Sequence, residues 1–140
     1  MKRSASANWQ GSLKEGRGTV STPSGVLADT PYSFTTRFES TPGTNPEELV
    51  AAAHAGCFAM AFSASLGRAG FTPEKVSTQA TLDFEQVDGA WTITHIHLSM
   101  KARVPGIDKA RFSEIAEDAK KNCPISRALT AKITLDAALE

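Results

Sequence analysis

Two cysteines, Cys57 and Cys123, stand 66 residues apart and are the side chains best suited to chemistry in this chain. A thiolate is a strong nucleophile, and two thiols that meet can store two electrons as a disulfide. The spacing is neither that of a secreted disulfide framework nor that of a zinc ribbon. A reducing, cytoplasmic compartment is the default for such a pair, and a disulfide formed there is more often redox-active than structural. Cys57 sits in the middle of an apolar stretch, where burial raises the pKa of a thiol, so a reactive Cys57 needs a cation beside it. Arg37 is the candidate, because a guanidinium stays charged. Glu47 is placed to orient that guanidinium through a bidentate pair. Each residue also has a plainer reading. Cys57 suits a small core position, Cys123 a helix cap, Arg37 an exposed strand edge, and Glu47 the start of a helix, where a carboxylate is favoured. A bridge needs the two Cα atoms within about 4.4–6.8 Å, and periodicity does not establish that.

The three histidines say less. His54 is one helical turn before Cys57, close enough to tune the thiol or simply to pack. His95 and His97 share one strand face as half of a metal site, but no third ligand is evident, which favours solvated surface residues. There is no Gly-rich phosphate loop and no serine-nucleophile motif.

These side chains need elements to hold them. Residues 43–68, GTNPEELVAAAHAGCFAMAFSASLGR, read as one long helix. Asn45 suits the N-cap, Pro46 the first helical position, and Glu48 the third. From Leu49 to Leu66 only His54, Ser63 and Ser65 are polar, the pattern of a helix buried on all sides and wrapped by the rest of the chain. Before it, Ala5 to Leu13 and Thr19 to Thr22 read as strands. Tyr32, Phe34, Thr36 and Phe38 alternate with polar residues as a third strand, with Arg37 on its polar face. After it come two clear strands. One carries Val76, Thr78, Ala80, Leu82 and Phe84 on its apolar face, and the other Ile96, Leu98, Met100, Ala102 and Val104. A two-residue Asp88-Gly89 turn would set Leu82 against His95, so a three-residue loop, Val87-Asp88-Gly89, is expected instead. Asp108 caps a helix to Asn122. Pro124 bars helical backbone at Cys123 and opens a short helix at 125–129. Residues 132–139 form a last strand. The order is α+β, without internal repeat or linker.

At 140 residues the chain is expected to be a single domain, 1–140, with enough length to bury a core unaided. Fifteen basic residues balance fifteen acidic ones, so there is no electrostatic case for nucleic acid or an anionic membrane. The start Met-Lys-Arg-Ser-Ala is not a secretory signal. The 43–68 helix is long enough to span a bilayer, but its alanines, His54 and two serines argue against that.

Two motifs, GTNPEELVAAAHAGCF and CPISRAL, closely resemble those of the OsmC/Ohr family of bacterial hydroperoxide reductases, most of all its osmotically inducible protein C branch. The resemblance extends through WQGSLKEGRGTVST, YSFTTRFE, GFTPEKV and VPGID. It implies an OsmC-like intertwined homodimer in which antiparallel β-sheets wrap around paired central helices. It also implies a two-cysteine peroxidase acting on organic hydroperoxides and hydrogen peroxide, with no cofactor and no metal. By matching motifs, Cys57 becomes the peroxidatic cysteine, Cys123 the resolving cysteine, Arg37 the thiolate partner and Glu47 the carboxylate that holds it. A dithiol reductant, such as a lipoylated protein, completes the cycle that the resemblance implies. The alternative is a non-catalytic dimeric stress or small-molecule-binding protein with inert cysteines.

Overall fold

The computed structural model describes residues 1–140, which divide into two compact units, Met1–Leu49 and Val50–Glu140. In the first, β1 (Ser6–Gln10), β2 (Arg17–Ser21) and β3 (Thr30–Tyr32) form an antiparallel sheet in that order. The Trp9 and Tyr32 rings lie 5.5 Å apart, centroid to centroid, across Gly18. A Cβ on Gly18 would come within 2.6 Å of both rings, so only glycine lets them close over the strand.

The third predicted strand is only partly a strand. The backbone turns helical at α1 (Phe34–Phe38). Ser33 is its N-cap: the Ser33 hydroxyl accepts from the Thr36 N–H, and the Thr36 hydroxyl accepts from the Ser33 N–H. Phe34 and Phe38, spaced one turn apart, bring their rings to 4.8 Å. The alternating pattern pointed to a strand, but a complete capping box and an i,i+4 aromatic pair favour one helical turn. Arg37 is therefore carried by this turn and not by a strand face.

The long helix α2 (Pro46–Arg68) begins where expected, with the Asn45 side chain accepting from the Glu48 N–H at 2.8 Å. Burial on all sides is corrected by the structure. One face, with His54, Phe58, Phe62, Ser65 and Leu66, is buried, whereas Ala52, Ala53, Gly56, Met60, Ala64 and Gly67 form an exposed stripe. Met60 is 76% exposed. By length and composition alone α2 is also long and apolar enough to cross a membrane.

In the second unit, β4 (Lys75–Val87), β5 (Ala90–Arg103) and β6 (Lys132–Leu139) make a sheet in that order. Ile96, Leu98, Met100 and Ala102 of β5 are fully or almost fully buried, as their alternation predicts. They form one core with Phe58, Phe62 and Leu66 of α2 and with Phe112, Ile115, Ala116 and Ala119 of α3 (Lys109–Asn122). Phe62 stacks on Phe58 and meets Phe112 edge-on, at 5.4 Å.

The β4–β5 hairpin corrects the expected three-residue loop. Val87 pairs with Ala90 across a two-residue Asp88-Gly89 turn, and both turn residues have positive φ, 51° and 81°. This is the turn whose twist matches that of the strands. The apolar faces still meet because the register shifts between Asp83 and Phe84: Phe84 pairs with Ile93 but Asp83 with His95. One extra residue, Thr94, flips the alternation back.

The expectation of antiparallel sheets holds for every pair but the last. β6 runs parallel to β5, Ile96 beside Ile133 and Leu98 beside Leu135. Between them the chain passes through α3 and α4 (Pro124–Ala128), the long crossover that a parallel pair requires.

Candidate active site

Cys123 stands between two helices. Its N–H still bonds to the Ala119 carbonyl at 2.8 Å, closing α3, but its ψ of 125° is not helical. Pro124 at the next position enforces that break and opens α4 at its first residue. The break aims the Cys123 side chain into the core, where it is fully buried.

Cys57 lies mid-helix on α2 and is partly buried. Its thiol is within hydrogen-bonding reach of the Cys123 thiol and of the Ile125 backbone N–H. Burial raises the Cys57 pKa above its ordinary value, the Ile125 N–H works against that rise, and the adjacent Cys123 adds to it. Two thiols 66 residues apart in the chain thus meet, and the second unit brings the predicted pair together. Ile125 contributes through its backbone, which no side-chain pattern could have flagged.

Arg37 and Glu47 meet in the first unit. The Arg37 Nε donates to both Glu47 carboxylate oxygens, at 3.0 and 3.2 Å, and Nη2 donates to Oε1 at 2.7 Å. Glu47 is buried, and the Arg37 side chain retains 35% exposure. The guanidinium also stands 5.1 Å from the centroid of the Phe38 ring. Two different elements build this fork. α1 presents Arg37 in its last turn and the first turn of α2 presents Glu47, while the Asn45 side-chain amide donates to the Thr36 carbonyl at 3.3 Å to close the bend between them. Arg37 borders an aromatic cavity of about 240 Å³ that is also lined by Trp9, Leu13, Tyr32, Phe34 and Phe38.

His54 is fully buried, one turn before Cys57, and its Nε2 makes a 2.8 Å hydrogen bond with the Ser126 hydroxyl of α4. Its Nδ1 has no partner, and burial lowers its pKa, which keeps the ring neutral near pH 7. Nothing in the spacing of the sequence singles out Ser126. His95 and His97 lie on the outer face of the second sheet. Asp83 and Thr134 engage the ring nitrogens of His95, and Thr134 and Asp136 those of His97. No group of three His, Cys, Asp or Glu side chains converges in a way that would hold a metal ion.

The model of the family described as OsmC-like protein matches residues 38–138, which include Glu47, Cys57 and Cys123. The chain belongs to that family. It is 53% identical to the protein named peroxiredoxin OsmC of Escherichia coli over 134 residues, covering 96% of this chain and 94% of that one. It is 33% identical to the organic hydroperoxide resistance protein of Xanthomonas axonopodis pv. citri over 98 residues, 69% of this chain and 67% of the relative. Solved structures of the family share the fold. An OsmC-like protein from Mycoplasma pneumoniae superposes with a TM-score of 0.75 at 17% identity, covering 99% of this chain and 97% of its own. The organic hydroperoxide resistance protein OhrB of Bacillus subtilis gives 0.63 at 23% identity, with 98% of each chain covered. The α+β architecture is thus the architecture of an OsmC/Ohr protein.

Proposed function

We propose that this protein is a thiol-dependent peroxidase that reduces organic hydroperoxides, and hydrogen peroxide, through a Cys57–Cys123 disulfide. The observation that carries the reading is the meeting of the Cys57 and Cys123 thiols in a chain of this family. The relatives named peroxiredoxin and organic hydroperoxide resistance protein support the same chemistry.

In the first step the Cys57 thiolate attacks one peroxide oxygen. The O–O bond breaks, the leaving alkoxide takes a proton to become the alcohol, and Cys57 becomes a sulfenic acid, oxidised by two electrons. In the second step the Cys123 sulfur attacks Cys57. A disulfide forms, and the departing hydroxide takes the Cys123 proton and leaves as water. An external dithiol returns two electrons and two protons. The lipoyl type of dithiol is the one we favour, by resemblance to the family.

Burial alone disfavours the Cys57 thiolate, so the first step needs help. The Ile125 N–H supplies some of it. We assign the rest to Arg37, held by Glu47, which would favour the thiolate and stabilise charge on the leaving oxygen. The apolar lining of the cavity beside Arg37 suits the alkyl part of such a substrate. Residues 1–140 act as one domain in this reading, and a second copy of the chain covers the small-residue stripe of α2, making a homodimer. The protein works in the cytoplasm, where a reducing milieu keeps both cysteines free between turnovers.

Inert cysteines are the competing reading, and the rise that burial imposes on the Cys57 pKa favours it. Alkylation of Cys57 as a function of pH, together with turnover of an alkyl hydroperoxide by the wild type and by Cys57→Ser, decides between them. Loss of turnover in Cys57→Ser, with a thiol that ionises below about 8.5 in the native assembly, supports the peroxidase. Full turnover in Cys57→Ser refutes it.

A further inference from the structure

The fully buried His54 has no part in the chemistry just described. It occupies a core position on a mostly apolar face of α2, between Val50 and Phe58. An imidazole there costs free energy, because Nδ1 is desolvated and unpaired. A leucine or methionine would fill such a place without that cost, so the ring serves something other than packing. Its one hydrogen-bond partner is informative. Nε2 bonds to Ser126, three residues after Cys123, and His54 itself stands three residues before Cys57.

The segment that this bond reaches is weakly held. α4 has five residues, none fully buried, and Cys123 gives it no side-chain cap. Ile125 and Leu129 pack against the core only in part. Yet α4 supplies the Ile125 N–H that points at the Cys57 thiol, and it begins at Cys123. Small displacements of α4 therefore move two groups that the reaction uses, both within three residues of its one side-chain hydrogen bond to α2.

We infer that His54 and Ser126 are a positioning pair: their hydrogen bond fixes α4 on α2 and so sets both the distance over which Cys123 resolves oxidised Cys57 and the Ile125 N–H contact to the Cys57 sulfur. The inference deepens the peroxidase reading and rests on it for the resolving step. Neither side chain touches the substrate, and neither exchanges a proton with it. The pair holds geometry, and its loss acts on the second step more than on the first.

The test compares wild type, Ser126→Ala, Ser126→Thr and His54→Gln, each reduced and then given one equivalent of cumene hydroperoxide, with rapid quenching and mass spectrometry. Ser126→Ala removes the hydroxyl at a partly exposed position and keeps the helix, and Ser126→Thr restores the hydroxyl. We expect disulfide closure in Ser126→Ala to slow by about 10- to 100-fold, the cost of misplacing reacting groups. In a second arm with excess peroxide, Cys57 sulfinic acid should accumulate in its place, and the Cys57 ionisation should move to higher pH. Ser126→Thr should close within about threefold of the wild-type rate, and His54→Gln, which keeps a hydrogen-bonding group near the Nε2 position, should lie between. A wild-type closure rate and an unmoved ionisation curve in Ser126→Ala would overturn the inference. So would a Ser126→Thr defect as large as that of alanine. A parallel series with diamide, which oxidises two neighbouring thiols to a disulfide without any peroxide, separates the two layers. If wild type closes with diamide but ignores peroxide, the peroxidase reading fails, and the diamide rates of the four proteins still decide the role of the pair.

Discussion

Replacing Glu47 with glutamine isolates the fork that holds Arg37. The carboxylate receives three N···O contacts of 2.7–3.2 Å from two guanidinium nitrogens. Glutamine keeps one acceptor oxygen, but it loses the charge and turns an amide N–H₂ toward a group that only donates. A hydrogen bond to a charged group is worth about 1.5–3 kcal/mol when lost. Arg37 is 35% exposed, so solvent screens part of this, and about 1–2 kcal/mol is the reasonable loss. At about 1.4 kcal/mol per factor of ten, the fork geometry becomes about 5- to 30-fold less populated. If Arg37 acts on the reaction only from that geometry, kcat/KM for an alkyl hydroperoxide falls by the same factor in Glu47→Gln. Glu48→Gln is the internal control. Glu48 is exposed, lies in the same first turn of α2, and carries the same charge relative to the helix dipole, but it has no part in the fork. Steady-state turnover with a dithiol reductant measures both variants, and circular dichroism confirms that the helix is retained. The reasoning is refuted if Glu47→Gln stays within about twofold of wild type, or if Glu48→Gln costs as much, since the carboxylates would then act only through the helix dipole.

Four further outcomes are expected. Cys123→Ser should consume one equivalent of peroxide and stall as the Cys57 sulfenic acid, and a second equivalent should drive it to the sulfinic acid, as intact-mass measurement reads directly; normal cycling would remove Cys123 from the resolving role. Phe62→Ala deletes a fully buried ring stacked on Phe58 and edge-on to Phe112 and should cost about 3–5 kcal/mol in chemical denaturation. Burial depresses the His54 pKa in the folded chain, so above about pH 6.5 both states hold the ring neutral. As pH falls below that, the unfolded chain takes up a proton that the folded one resists, and stability drops by up to about 1.4 kcal/mol per pH unit until the lowered folded value is reached. His54→Gln should remove that component of the slope below about pH 6.5. Met60→Glu, which places a charge in the exposed α2 stripe, should shift the protein toward monomer in light scattering if that stripe is covered by a second copy.

Local rules were enough for much of this molecule. Asn45-Pro46 starts α2, Asp108 starts α3, and Pro124 breaks the helix at Cys123, because caps and proline act within a few residues. The alternation of β5 and β6 fixed their buried faces for the same reason. Local rules failed where two of them competed. The aromatic alternation at 32–38 lost to a capping box, and the hairpin loop was misjudged because one bulge at Thr94 restores a register that strict alternation forbids. The exposed stripe of α2 was invisible, since composition reports apolarity and not which faces the same chain covers.

The chemistry divides along the same line. The candidates for it were legible in the sequence, because a thiol, a guanidinium and a carboxylate are identities. Tertiary structure alone decided that Cys57 meets Cys123 across 66 residues, that the Ile125 N–H serves the same sulfur, and that His54 reaches Ser126. These are meetings between segments brought together by a shared core. Periodicity describes the face of one element, and a contact needs two.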